Sequence, residues 1–84
     1  MKRTKKIEKI LSEHLSDFHF NIIDNSSSHK GHNNFNGDGE THIKVEIYNY
    51  ANLEFDRLEI HKKINFLLKE EFKKGLHSLQ ITIT

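Results

Sequence analysis

The amino-acid sequence predicts a small α+β domain with the order helix, strand, strand, helix, strand. Three observations predict it. Apolar residues recur at three- and four-residue spacing near the start and again after residue 56, which marks two amphipathic helices. They alternate at period two in three other stretches, which marks half-buried strands. Helices lying together on one face of a three-stranded sheet would bury both kinds of stripe.

The first helix is read over Thr4–Leu15 from Ile7, Ile10, Leu11 and Leu15. In the next stretch Phe18, Phe20 and Ile22 alternate with His19 and Asn21 as a first strand. A polar segment over 24–39 follows, whose Asn36-Gly37 and Asp38-Gly39 pairs are turn signals. Connections of that length inside a small domain are usually functional or disordered, and this one is read as a flexible arm. Ile43, Val45 and Ile47 then alternate with His42, Lys44 and Glu46 as a second strand. Asp56 and Glu59 have the spacing of a capping box and open a helix read as continuous to Lys73. Its inward stripe holds Ile60, His61, Ile64, Leu67, Leu68 and, at the edge, Phe72, and Gly75 is its stop. The third strand follows, with His77, Leu79, Ile81 and Ile83 expected on one face. A long antiparallel hairpin joins the first two strands, and the second helix fits a right-handed crossover between parallel second and third strands.

At 84 residues the chain is read as one domain, 1–84, with a thin core, since a chain of this size buries only about 60% of its unfolded surface. It contains no cysteine and no proline. Disulfides, a cysteine nucleophile and a cysteine-only metal or iron–sulfur site are therefore excluded. The net charge is +1 with interleaved signs, which does not supply the basic stripe expected of strong nucleic-acid binding. The basic opening over 2–6 is read as a solvated tail, with a phosphate-binding arm as the alternative. No apolar run of membrane-spanning length and no signal-peptide pattern is present. A cytoplasmic location is expected, with nucleus and organelle left open.

The chemistry lies in the histidines. His14 and His19 have no partner at ligand spacing and are read as surface residues. His61 falls in an apolar stripe, where a core histidine bonded to a backbone carbonyl is the expected role. His42 opens the second strand opposite Ile43 and Val45, and a structural hydrogen bond to the preceding segment is expected. His29 and His32 differ, because they sit among Ser, Asn and Gly where imidazoles can point outward and act as metal ligands. Two ligands are too few, and His77 at a strand end is the candidate third. Spacing alone does not say whether it meets them.

At this point the chain resembles the BolA-like family. The matching residues are Ser28-His29-Lys30-Gly31-His32 and Gly39-Glu40-Thr41-His42-Ile43-Lys44-Val45. His61-Lys62, Leu67-Leu68-Lys69-Glu70-Glu71 and Gly75-Leu76-His77-Ser78-Leu79 follow in the family's order, covering nearly the entire chain. Ile60 and Lys62 stand where the family usually has arginines, and Tyr50-Ala51-Asn52-Leu53-Glu54 replaces its F-x-G segment. The resemblance implies an αββαβ fold similar to type II KH domains. It also implies a heterodimer with a monothiol, CGFS-type glutaredoxin that shares a [2Fe–2S] cluster, with glutathione as co-ligand. Carried over residue by residue, the cluster ligands from this chain are His32 and His77, with His29 as substitute for His32.

That implication agrees with the donors available. A cysteine-free chain joins an iron–sulfur site only through non-thiol ligands, and histidine ligation of one iron has the Rieske centre as precedent. Imidazole in place of thiolate raises the reduction potential and makes the ligation sensitive to acid. The expected function is a non-enzymatic adaptor in iron–sulfur cluster trafficking or iron sensing. The alternative from another class is a nucleic-acid-binding regulator using Lys62 and Lys63 on the second helix, although no G-x-x-G lies there. Zinc binding by His29 and His32 without a partner is a further alternative. No nucleophile or phosphate-cradle motif supports an enzyme.

Overall fold

The computed structural model describes residues 2–26 and 40–84. Along the chain the elements are α1 (Arg3–His14), β1 (His19–Asp24), β2 (His42–Tyr48), α2 (Arg57–Leu67), α3 (Lys69–Lys73) and β3 (Ser78–Ile83). The strands form one mixed sheet in the order β1-β2-β3. β1 and β2 pair antiparallel, with Phe20 opposite Ile47 and Ile22 opposite Val45. β2 and β3 pair parallel, with Ile43 beside Leu79 and Val45 beside Ile81. The α+β architecture predicted from the sequence is the one observed.

The core forms where the two periodicities meet. Ile7 and Leu11, one turn apart on α1, are fully buried, as are Ile64 on α2 and Leu68 just after it. They pack with Ile43, Val45 and Ile47 of β2 in a single cluster, so the helices share one face of the sheet. The central strand is therefore covered on that face, while His42, Lys44 and Glu46 stay half-exposed on the other. Burying an aliphatic side chain of this size contributes about 2 kcal/mol, which makes the few fully buried residues the main source of stability.

Caps and turns follow the sequence signals. The Asp56 carboxylate accepts from the N–H groups of Leu58 and Glu59 at 2.9 and 3.2 Å. Glu59 pairs loosely with Lys62 at 3.9 Å, so only one half of the expected box is built. After β2 the Asn49 side chain donates to the Leu53 carbonyl and accepts from the Leu53 N–H. Asn52 takes a left-handed φ of 51° within that turn, a conformation asparagine tolerates better than most residues. This device organises the stretch between β2 and α2.

Three expectations are corrected. The helix read as continuous to Lys73 breaks at Leu68 into α2 and α3. The break keeps Leu68 at 0% exposure while α3 turns Glu71 toward Arg3, an ion pair no apolar wheel reveals. The opening basic residues are not a tail: residues 3–6 form the first turn of α1, and the Arg3 side chain is only 12% exposed. His61 lies at the margin of the core, half-buried beside Arg57, Leu58 and Ile81, and its ring has no hydrogen bond to a described residue.

Arg3 joins three segments. Its Nε donates to Glu71 Oε1 at 2.9 Å, its Nη1 to the Glu40 carbonyl at 2.9 Å and its Nη2 to the Lys74 carbonyl at 3.0 Å. Removing one member of such a pair leaves the other buried and uncompensated, at a cost on the order of 3 kcal/mol. Arg3→Ala is therefore expected to lower stability by about that amount in urea denaturation, and Arg3→Met with Glu71→Leu by clearly less. Equal losses from the single and double variants would show that the pair does not couple these segments.

Candidate metal-ligating site

His77 owes its position to the residues before it. Gly75 has φ 118°, a conformation that favours glycine. The N–H of Leu76 then returns to the Glu71 carbonyl at 2.9 Å, closing α3 in a Schellman turn. Leu76 goes into the core at 3% exposure, and the next side chain, His77, turns to solvent. The sequence reading placed His77 on the inward face with Leu79. β3 begins only at Ser78, so strand alternation does not govern residue 77.

The backbone beside His77 is tied down on both sides. The N–H groups of His77 and Ser78 both donate to the Thr41 carbonyl, at 2.8 and 3.1 Å. Thr41 and His42 in turn donate their own N–H groups to the hydroxyl of Ser26, at 2.8 and 3.2 Å. Ser26 is 1% exposed, so its hydroxyl replaces a rung of the ladder between β1 and β2. The Asn25 N–H donates to the His42 carbonyl at 2.8 Å and extends that ladder. Thus the residue that ends the described first half of the chain is fixed against the residues that reopen it.

Glu40 anchors the same junction to α1. Its carboxylate accepts from the N–H groups of Arg3 and Thr4 at 2.9 and 3.1 Å. These are among the unpaired donors at the start of a helix, where a carboxylate also meets the positive end of the macrodipole. Burial opposes the charged carboxylate, but these backbone donors and the Thr4 hydroxyl outweigh it, and its pKa falls below the usual carboxylate range. The left-handed φ of 51° at Glu40 is the strain that aims it there.

The structure brings His42 and His77 together: their ring centroids are 6.1 Å apart and the planes differ by 28°. His42 Nδ1 and the Thr41 hydroxyl are hydrogen bonded at 2.9 Å. The contact shown for the imidazole is therefore to its neighbour Thr41, while the His42 backbone N–H reaches the buried Ser26. His29 and His32 lie outside the described residues, but the segment that carries them leaves and re-enters at Ser26 and Glu40, beside the Thr41 carbonyl to which His77 is bonded. Among the described residues no three of His, Asp and Glu converge as a metal site.

The other candidates are elsewhere. His61, Lys62 and Lys63 lie on α2. Lys62 pairs with Glu59, and Lys63 Nζ donates to the His14 carbonyl at 3.3 Å, so each lysine of the nucleic-acid alternative has a protein partner. His14 Nδ1 donates to the Ile10 carbonyl, and His19 stacks on Tyr50 with centroids 4.1 Å apart. Sequence reasoning missed Ser26, Glu40 and Arg3. Only Glu40 carried a signal, as part of the G-E-T-H block, and that block showed kinship without showing its task.

The comparisons with known proteins identify the family and the fold. The family model described as BolA-like protein matches residues 2–84. An uncharacterized protein in the cobS 5′ region of a Sinorhizobium species is 39% identical, over 96% of this chain and 88% of its own. The UV-induced protein uvi31 of Schizosaccharomyces pombe is 36% identical, over 98% of this chain and 83% of its own. Among solved structures, the BolA domain of SufE1 from Arabidopsis thaliana superposes with a TM-score of 0.79 at 32% identity, covering all of this chain and 92% of its own.

Two consequences concern stability. Glu40 has a folded-state pKa below its unfolded one. Its contribution is therefore present above the unfolded pKa and is lost as pH falls through the folded one. Glu40→Gln is expected to cost about 1 kcal/mol at neutral pH, with the gap to wild type closing in acid, as read by urea midpoints across a pH series. A gap independent of pH would refute the cap. Ser26→Ala, which strands two N–H groups, is expected to cost about 2 kcal/mol and to speed hydrogen exchange at Thr41 and His42; unchanged exchange there would remove Ser26 from the junction.

Proposed function

The chain belongs to the BolA-like family, and from that premise we propose that it is an adaptor in iron–sulfur cluster trafficking or iron sensing, working with a monothiol glutaredoxin. Members of this family are generally regulators or adaptors without catalysis, and the sequence offers no catalytic constellation against that. The observation that carries the reading is the placement of His77. An exposed imidazole is held by its backbone to Thr41, the residue next to the Glu40 end of the segment bearing His29 and His32.

A [2Fe–2S] cluster fits this donor set. His77 supplies one nitrogen donor and His32, with His29 as substitute, supplies the other. The thiolates come from the CGFS cysteine of the glutaredoxin and from glutathione, because this chain has none. When bound, the cluster supplies an electron-accepting centre whose mixed ligation suits transfer or sensing better than permanent storage. The chain's own part at this rim of the sheet is to hold the His77 imidazole exposed. His42, 6.1 Å from His77 between centroids, limits the space into which that ring swings.

The test is anaerobic reconstitution with a monothiol glutaredoxin and glutathione, followed by visible absorption and circular dichroism, for wild type, His32→Ala, His29→Ala and His77→Ala. The wild-type complex is expected to give a spectrum distinct from that of the glutaredoxin homodimer. His77→Ala is expected to abolish the difference without changing the urea midpoint, since the side chain is exposed. A wild-type spectrum identical to the homodimer's would end the proposal.

A further inference from the structure

β3 is an edge strand whose outer side meets no strand among the described residues. Ser78 and Thr84 send their N–H groups to the carbonyls of Thr41 and Ile47. By the alternation of a parallel ladder, the N–H and C=O groups of Leu79, Ile81 and Ile83 therefore point away from β2. The Arg57 guanidinium confirms this direction, donating to the outward Ile83 carbonyl at 3.3 Å. The strand, SLQITI, has no charge and no proline. Edges are usually blunted by such residues, and a strand lacking them is a template for another strand. β1, the opposite edge, ends in Asp24. Beside β3, Leu58 of α2 is 60% exposed and borders a hollow shared with His61, Arg57 and Ile81.

We infer that β3 pairs antiparallel with β3 of a second copy of this chain, forming a two-fold dimer with one continuous sheet. The register follows from the outward groups. Ile81 faces its own counterpart across the axis, and Leu79 faces Ile83, whose carbonyl uses its second lone pair for the Leu79 N–H beside the bond from Arg57. The same register carries Leu79, Ile81 and Ile83 of both copies onto the helix-bearing face as one apolar ladder, continuous with the exposed Leu58. Charge permits it. The nearest cation, Arg57, sits at the Ile83 end of the strand, so the antiparallel arrangement separates the two Ile83 positions by roughly 13 Å along the seam. An uncharged, alternating strand is complementary to itself, as a two-fold interface requires. The site of His77 lies at the opposite end of β3 from Arg57 and is not needed for the pairing.

Such a contact is small, and a dissociation constant on the order of 100 μM is expected. Sedimentation equilibrium of the full chain from roughly 10 μM to roughly 1 mM is expected to show a monomer–dimer equilibrium. Hydrogen exchange at Leu79, Ile81 and Ile83 is expected to slow with concentration, while exchange in β1 stays constant. Ile81→Lys, which sets two ammonium groups across the axis, and Leu58→Lys, at an already exposed position, are each expected to weaken dimerisation at least about tenfold. Leu58→Lys decides the matter where Ile81→Lys disturbs folding. A chain monomeric at the highest concentration, or a dimer indifferent to Leu58→Lys with unprotected β3 amides, would overturn the inference.

Discussion

The Arg3 guanidinium is the knot on which the architecture depends. In a chain with so few fully buried side chains, packing alone leaves the ends of the elements loosely specified. Arg3 ties the start of α1 to the carboxylate of Glu71 and to the carbonyls of Glu40 and Lys74. Glu40 returns the favour by capping the helix that Arg3 begins. A planar cation with several donors suits this task, because one residue meets acceptors from separate segments. The interaction is costly to desolvate and owes its value to being fully met. Among the described residues no buried side-chain nitrogen or oxygen lacks a hydrogen bond.

The surface pairs are of another order. Lys5 with Glu8 and Lys73 with Glu70 lie at 4.0 and 3.5 Å with well-exposed side chains, and such contacts contribute a few tenths of a kcal/mol. On the open face of the sheet, Glu46 accepts from Asn21 and lies 3.7 Å from Lys44. These side chains hold cross-strand register in water. The division is sharp: apolar contacts fill the interior, one ionic knot sets its corner, and the remaining charge keeps the outside wet.

The fold was legible because its elements are local patterns. Ile43, Val45 and Ile47 announce a strand at period two, and Asp56 and Gly75 mark a helix start and stop that backbone chemistry obeys. What was not legible depends on distance along the chain. Arg3 and Glu71 are 68 residues apart, and nothing near either one shows that it has a buried partner. The break at Leu68 likewise has no local signal, since neither glycine nor proline stands there. Ser26 looked like one more polar residue of a connecting stretch, since a hydroxyl that substitutes for a ladder rung has no sequence pattern. His77 was singled out by its place at a strand end and then by its kinship block, but its outward turn comes from Gly75 and the burial of Leu76. The proximity of His42 to His77 needed the parallel register of β2 and β3.

The clasp made by Ser26 and Glu40 has a consequence for how this scaffold changes. Both feet of the intervening span are held by side chains, the hydroxyl of Ser26 at one and the carboxylate of Glu40 at the other. Lengthening a closed span costs little, about 0.6 kcal/mol for each doubling. The frame has no such latitude: a single-residue slip between Gly75 and Ser78 would turn His77 inward. Under the proposed function the frame is a socket: it fixes His77, and the second donor comes from the span between the two clamps.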